Sequence, residues 1–287
     1  MKNDTKSKLK TKDENLKIVK LKNIVNSEDK SSQDNIKLLI KGLSDPNGLV
    51  RRNYSEELGK LGKVALPALV NALLNSKNVI QRRAAAKTLK LVADPSALPH
   101  LIKALTNDSD PVVQCSAAGA IAIFGEEAVH HLIIVLEDLK YTEMQYGLAA
   151  WCLAFVGANA PNAIKKAAKS KHTNVKSAAI SALEEHILQT QDQEAIQLVK
   201  SAMNDTAENV QVEAIQLIGK LYKIESLIPI LMSKLKNKNP HIRKASVLSL
   251  MQLDIQEAIN QLQYLFEVEQ DKNVKKIIAL AIKKIDK

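Results

Sequence analysis

The chain has 287 residues, with 41 basic against 31 acidic side chains, a formal net charge of +10 and 3% aromatic residues. Two cysteines, Cys115 and Cys152, are too few for a disulfide framework or a thiolate zinc site. The N-terminus lacks the apolar run of a signal peptide, and the longest apolar stretch, Gly147 to Ala158, is too short to span a bilayer, so a cytoplasmic, reducing compartment is expected.

Residues 1–32 read as a flexible, Lys-rich segment. The first 30 hold nine Lys against five acids, with one weak amphipathic stretch from Leu16 to Val25. From 33 to 287 one signature recurs: an apolar anchor, a basic residue, small residues, a second apolar position and often Gly. The eight copies are anchored at Val50, Gln81, Val113, Gln145, Val175, Val210, Ile242 and Val274, at gaps of 31, 32, 32, 30, 35, 32 and 32 residues. A period near 32 residues signifies stacked structural repeats. The 30-residue gap before Val175 marks a shortened unit, and the 35-residue gap marks a loop insertion around Gln189–Gln193.

Within each copy apolar residues fall at the anchor, +4, +8 and about +11, which is one face of an α-helix. A second apolar-periodic stretch precedes each anchor, such as Ala68–Leu74 or Leu98–Leu105. Turn and N-cap residues separate the two, as in Ser44-Asp45-Pro46-Asn47 and Asn107-Asp108-Ser109-Asp110-Pro111. Each unit is therefore an antiparallel helix pair that must stack on its neighbours to bury its apolar face. The expected fold is an all-α, crescent-shaped solenoid of about eight pairs. It resembles HEAT repeats, in which Val-Arg opens the second helix, and that resemblance gives Arg51 a structural role in bonding loop acids.

Second helices line the inner surface of such arrays, and positions +2, +6, +10 and +13 face away from the core. That face carries Arg52, Glu56, Lys60 and Lys63 in the first repeat and Arg83, Lys87, Leu91 and Asp94 in the second. It carries Cys115, Gly119, Ile123 and Glu126 in the third, and Gly147, Trp151, Phe155 and Ala158 in the fourth. A basic entrance thus adjoins an apolar floor, suited to a flat amphipathic ligand bearing carboxylates. Arg52, Arg82, Arg83 and Lys87 are the candidate carboxylate-binding residues. Trp151 and Phe155 are the candidate platform, with the alternative that they pack between the fourth and fifth repeats. The adjacent His130-His131 cannot present both rings on one helix face to a metal, and no metal site is expected. No Gly-rich phosphate loop or nucleophile elbow occurs. The excess charge is Lys rather than Arg, partly in the N-terminal segment, which makes a nucleic-acid partner the weaker reading.

The stretch from Gly48 to Ile187 resembles the HEAT-like phycobilisome lyases of cyanobacteria, of the E/F type, most of all the phycoerythrin-directed members. The residues that carry the resemblance are Val113-Gln114-Cys115-Ser116-Ala117-Ala118-Gly119-Ala120, Ile123-Phe124-Gly125 and Gly147-Leu148-Ala149-Ala150-Trp151 with Phe155-Val156-Gly157. The resemblance implies an enzyme that holds an open-chain tetrapyrrole such as phycoerythrobilin as substrate, without a cofactor, and promotes its thioether attachment to a cysteine of a phycobiliprotein subunit. Isomerase activity and a second HEAT-type subunit as partner belong to the same implication. The propionates would meet Arg52, Arg82, Arg83 and Lys87, and the rings would meet Trp151, Phe155 and Ile123. Tyr146, Glu126 or Asp94 would supply a proton. Cys115 is a minor candidate for a transient adduct, and Cys152, at a small inter-repeat position, is structural. The competing reading is a non-catalytic scaffold that binds phycobiliproteins during assembly or turnover.

Overall fold

The computed structural model describes residues 31–157, 159–221 and 225–286. The Lys-rich segment 1–30 and Ala158 of the inner-face map lie outside the described residues. Among the described residues all regular structure is helical, and the helices succeed one another in pairs. The first four pairs are α1 (Gln33–Gly42) with α2 (Gly48–Leu61), α3 (Leu66–Asn75) with α4 (Val79–Val92), α5 (Leu98–Asn107) with α6 (Pro111–Ile121), and α7 (Glu126–Glu137) with α8 (Glu143–Gly157). Then come α9 (Pro161–Ala167) with α10 (Thr173–Ala182), an additional helix α11 (Glu184–Thr190), and α12 (Gln193–Ala202) with α13 (Glu208–Lys220). The last pairs are α14 (Ile228–Ser233) with α15 (Pro240–Leu253) and α16 (Ile259–Val268) with α17 (Lys272–Ile285).

Local chemistry sets these boundaries. The side chains of Asn47, Asn78, Asp110, Asn239 and Asp271 accept from the first-turn amides of α2, α4, α6, α15 and α17. Pro111 and Pro240 open α6 and α15, where a missing N–H costs nothing. Between α2 and α3 and between α6 and α7 the chain reverses at Gly62 and Gly125, with φ of 59° and 56°, a region that penalises any side chain.

The chain divides into two compact units. One runs to Val135 and takes in Lys140–Cys152; the other comprises Leu136–Leu139 and Leu153 onward. The first buries Leu58, Leu69, Leu73, Leu89, Leu101 and Leu105 completely, and the second does the same with Ile164, Leu183, Ile215, Leu231, Leu250 and Ile278. Each such side chain contributes roughly 1.5–3 kcal/mol of transfer free energy.

A polar ladder joins the repeats. The residue after the anchor donates to the carbonyl six positions back: Arg51 to Asp45 O at 2.6 Å, Arg82 to Ser76 O at 3.0 Å, Gln114 to Asp108 O at 2.8 Å and Arg243 to Asn237 O at 2.8 Å. The same side chain also reaches the next repeat where that repeat offers an acid. Arg82 makes a bidentate pair with Asp108, at 2.7 and 3.0 Å, and Arg243 makes one with Glu269, at 2.7 and 2.6 Å. The two Gln anchors are explained in the same way. Gln81 donates to Ile40 O at 2.8 Å and Gln145 to Thr106 O at 2.6 Å, so each replaces apolar packing with a bond to the preceding repeat.

The expected loop insertion is instead helix α11, closed by Gln191 in the left-handed conformation. Its His186 lies 3.0 Å from Asp192, which also accepts from Lys165 at 2.8 Å. These bonds hold the Asp192 carboxyl well below the usual carboxylate range, Lys165 contributing most. The shortened unit expected before Val175 corresponds to α9, of seven residues.

Candidate functional site

In the first unit a cleft of about 530 Å³ opens between α2 and α4 and is closed at one side by the start of α6. Helix α2 supplies Arg51, Arg52, Ser55 and Glu56, and α4 supplies Ile80, Arg83, Ala84, Lys87 and Leu91, with Val112 from α6. The pitch of 3.6 residues per turn places Arg52 and Glu56, and likewise Arg83, Lys87 and Leu91, on one exposed stripe of each helix. Gly59 lets α2 come close to α4, since a Cβ there would stand 2.9 Å from that of Leu91.

The cations differ in what holds them. Arg52 Nε lies 2.7 Å from Glu56 Oε1 on its own helix, and both side chains are exposed. Arg83 is bidentate with Asp110, at 3.0 and 2.9 Å, and this guanidinium keeps the Asp110 carboxyl below its ordinary range. Arg51 is tied by its bond to Asp45 O. Arg82, placed beside Arg83 by sequence, does not line the cleft. Its side chain is only 11% exposed and is engaged by Asp108, which raises its affinity for its proton. Arg51 thus keeps the loop bond expected of it and lines the cleft as well, whereas Arg82 is held at the repeat junction. Arg51 shares the ladder with the cleft, and Arg82 belongs to the ladder alone.

In the same unit α6 and the start of α8 also carry exposed side chains. Cys115 is exposed, and Ile123, in the short 3₁₀ turn after α6, is 38% exposed. Trp151 and Phe155, one turn apart on α8, are 49% and 61% exposed. Within the first unit α8 is fixed to α6 by Cys152, whose Sγ donates to Ala118 O at 3.3 Å. Burial pushes that thiol up to about 12, which suits the structural role expected of it. A Cβ added at Gly119 or Gly147 would meet nothing within 4 Å, so these glycines leave open surface on α6 and α8.

The three proposed proton donors stand on different elements. Glu126 is exposed in the first turn of α7, and Tyr146 is half-buried at the position after the fourth anchor. Asp94 caps the 3₁₀ turn after α4. The Ser96 hydroxyl and amide, with Lys63, hold its carboxyl below the usual range, so Asp94 is an acceptor at neutral pH rather than an acid. Sequence reasoning placed Glu56 on this face without a role, although among the described residues it is the one carboxylate lining the cleft. The i, i+4 spacing from Arg52 was the available signal. Among the described residues no cluster of His, Cys, Asp and Glu could hold a metal, and the His130 and His131 rings lie tilted against each other, with centroids 6.0 Å apart.

Residues 66–143 and 197–283 match HEAT repeats, and the chain is a HEAT-repeat protein. It is 34% identical over 251 residues to the bilin biosynthesis protein MpeU of Synechococcus sp. (strain WH8020), across 88% of this chain and 84% of that protein. It is also 34% identical over 108 residues to the uncharacterized phycocyanin operon protein Z of Pseudanabaena tenuis (strain PCC 7409), across 35% of this chain and 52% of that protein. The crystal structure of Kap121p matches with a TM-score of 0.52 at 12% identity, over 87% of this chain and 37% of that one, which shows the helical-repeat fold alone. The chain belongs to the HEAT-like phycobilisome lyase family.

Proposed function

We propose that the protein is a bilin lyase or bilin chaperone that holds phycoerythrobilin on the inner stripe of its first unit and promotes thioether attachment to a cysteine of a phycoerythrin subunit. The observation that carries this reading is the cation-lined cleft between α2 and α4, in a unit that also exposes Ile123 and Trp151. The propionates go to Arg52, Lys87 and Arg83, and the pyrrole rings go to Ile123 and Trp151. The acceptor thiol belongs to the phycobiliprotein. Holding the bilin in one orientation and shielding it from water would direct the addition, with Tyr146 or Glu126 as the proton source. A second HEAT-type subunit as partner and an isomerase activity are parts of the same proposal.

The reading is tested by titrating the purified protein with phycoerythrobilin. Binding is expected, and Lys87→Glu should weaken it about tenfold or more without lowering the melting temperature, since Lys87 is exposed. Unchanged affinity in that variant would remove the cleft from the account. The alternative is a non-catalytic HEAT-repeat scaffold that binds phycobiliproteins during phycobilisome assembly or turnover. Bilin-independent binding to the phycobiliprotein, with Tyr146→Phe and Glu126→Gln both silent, would favour it.

A further inference from the structure

We infer that Glu56 is a specificity-determining residue: it sets the charge of the cleft so that a ligand with two carboxylates is taken and more highly charged anions are rejected. The inference rests on the cleft being the bilin site and deepens that reading. Four positive side chains line the cleft, Arg51, Arg52, Arg83 and Lys87. Asp110 neutralises Arg83 through a bidentate pair, and Glu56 neutralises Arg52 at 2.7 Å. Two positive charges are left, which two carboxylates balance.

The two neutralising acids are held differently. Asp110 caps α6 through Val113 N at 2.9 Å and accepts both guanidinium nitrogens of Arg83, so it cannot leave without unmaking the helix cap. Glu56 meets Arg52 through a single oxygen, and both side chains are exposed. An exposed pair of this kind, with the acid C-terminal to the base, is among the weakest ion pairs. An incoming carboxylate can therefore displace Glu56 from Arg52, but the Glu56 charge stays in the cleft. A dicarboxylate tolerates that residual charge. A triphosphate or a nucleic-acid backbone, which must crowd more negative charge into the same space, is repelled by it. The consequence is that a basic cleft on a basic chain selects carboxylates over polyphosphates.

The test compares the wild type with Glu56→Gln and Glu57→Gln, titrated with phycoerythrobilin and with inorganic triphosphate. Glu57 is the adjacent acid, pairs with Lys60 at 2.6 Å and does not line the cleft, so its replacement changes the net charge equally. Glu56→Gln should tighten triphosphate about tenfold and phycoerythrobilin about threefold or less. Glu57→Gln should change both by less than about twofold. Equal shifts for the two ligands, or equal effects of the two variants, would overturn the inference while leaving bilin binding intact. Absence of phycoerythrobilin binding by the wild type would remove the underlying reading, and this one with it.

Discussion

At the scale of single residues, position in the repeat decides whether a cation is structural or available. Arg82 and Asp108 are both nearly buried, at 11% and 7% exposure, and each is the other's main partner. Removing one leaves the other charge unpaired at a repeat junction. Asp108→Ala should therefore destabilise the first unit by about 3 kcal/mol, measured by chemical denaturation, and lower bilin affinity only through that loss. Trp151 is only half-buried. Trp151→Ala should cost less stability than Asp108→Ala and weaken phycoerythrobilin binding roughly tenfold. A variant that melts early and binds normally would mean that the ring serves packing.

At the scale of elements, the caps and junctions give the sharper tests. Helix α4 ends at Ala93 in the left-handed conformation, with φ of 53°, where a Cβ is strained. Ala93→Gly should stabilise the protein by up to about 1 kcal/mol, seen as a higher denaturation midpoint. In the second unit Glu269 is almost fully buried against Arg243, which holds its carboxyl below its ordinary value. A depressed folded value means that its contribution is complete above the unfolded carboxylate range, about pH 4.3, and is lost as pH falls through the lower folded value. Stability should therefore drop on acidification below about pH 4 in the wild type, and less steeply in Glu269→Gln. The helix pairs were legible in the sequence because period, caps and turn residues are local signals. The repeat junctions were not, because Arg51 and Arg82 occupy equivalent positions and only the acid offered by the next loop separates them. Helix α11 was hidden for a related reason: its seven residues are too short to show a period, so they read as loop.

At the scale of the whole molecule, the candidate site is a cleft between two helices of the first unit. The exposed stripe on each of α2, α4 and α6, with Trp151 on α8, was legible from helical spacing alone. The charge state of that stripe was not, because it depends on which acids reach which cations and which donors reach which acids: Asp110 to Arg83, Glu56 to Arg52 and Ser96 to Asp94. Among the described residues no helix is long and apolar enough to cross a membrane. The central claim is covalent attachment of a bilin to a phycobiliprotein, and co-expression with a phycoerythrin β-subunit in a host that makes phycoerythrobilin tests it most directly. The account predicts bilin fluorescence on the denatured subunit that requires this protein and is lost when Arg52, Lys87 and Trp151 are all replaced by Ala. Fluorescence on the denatured subunit at the same level with or without the protein would contradict it.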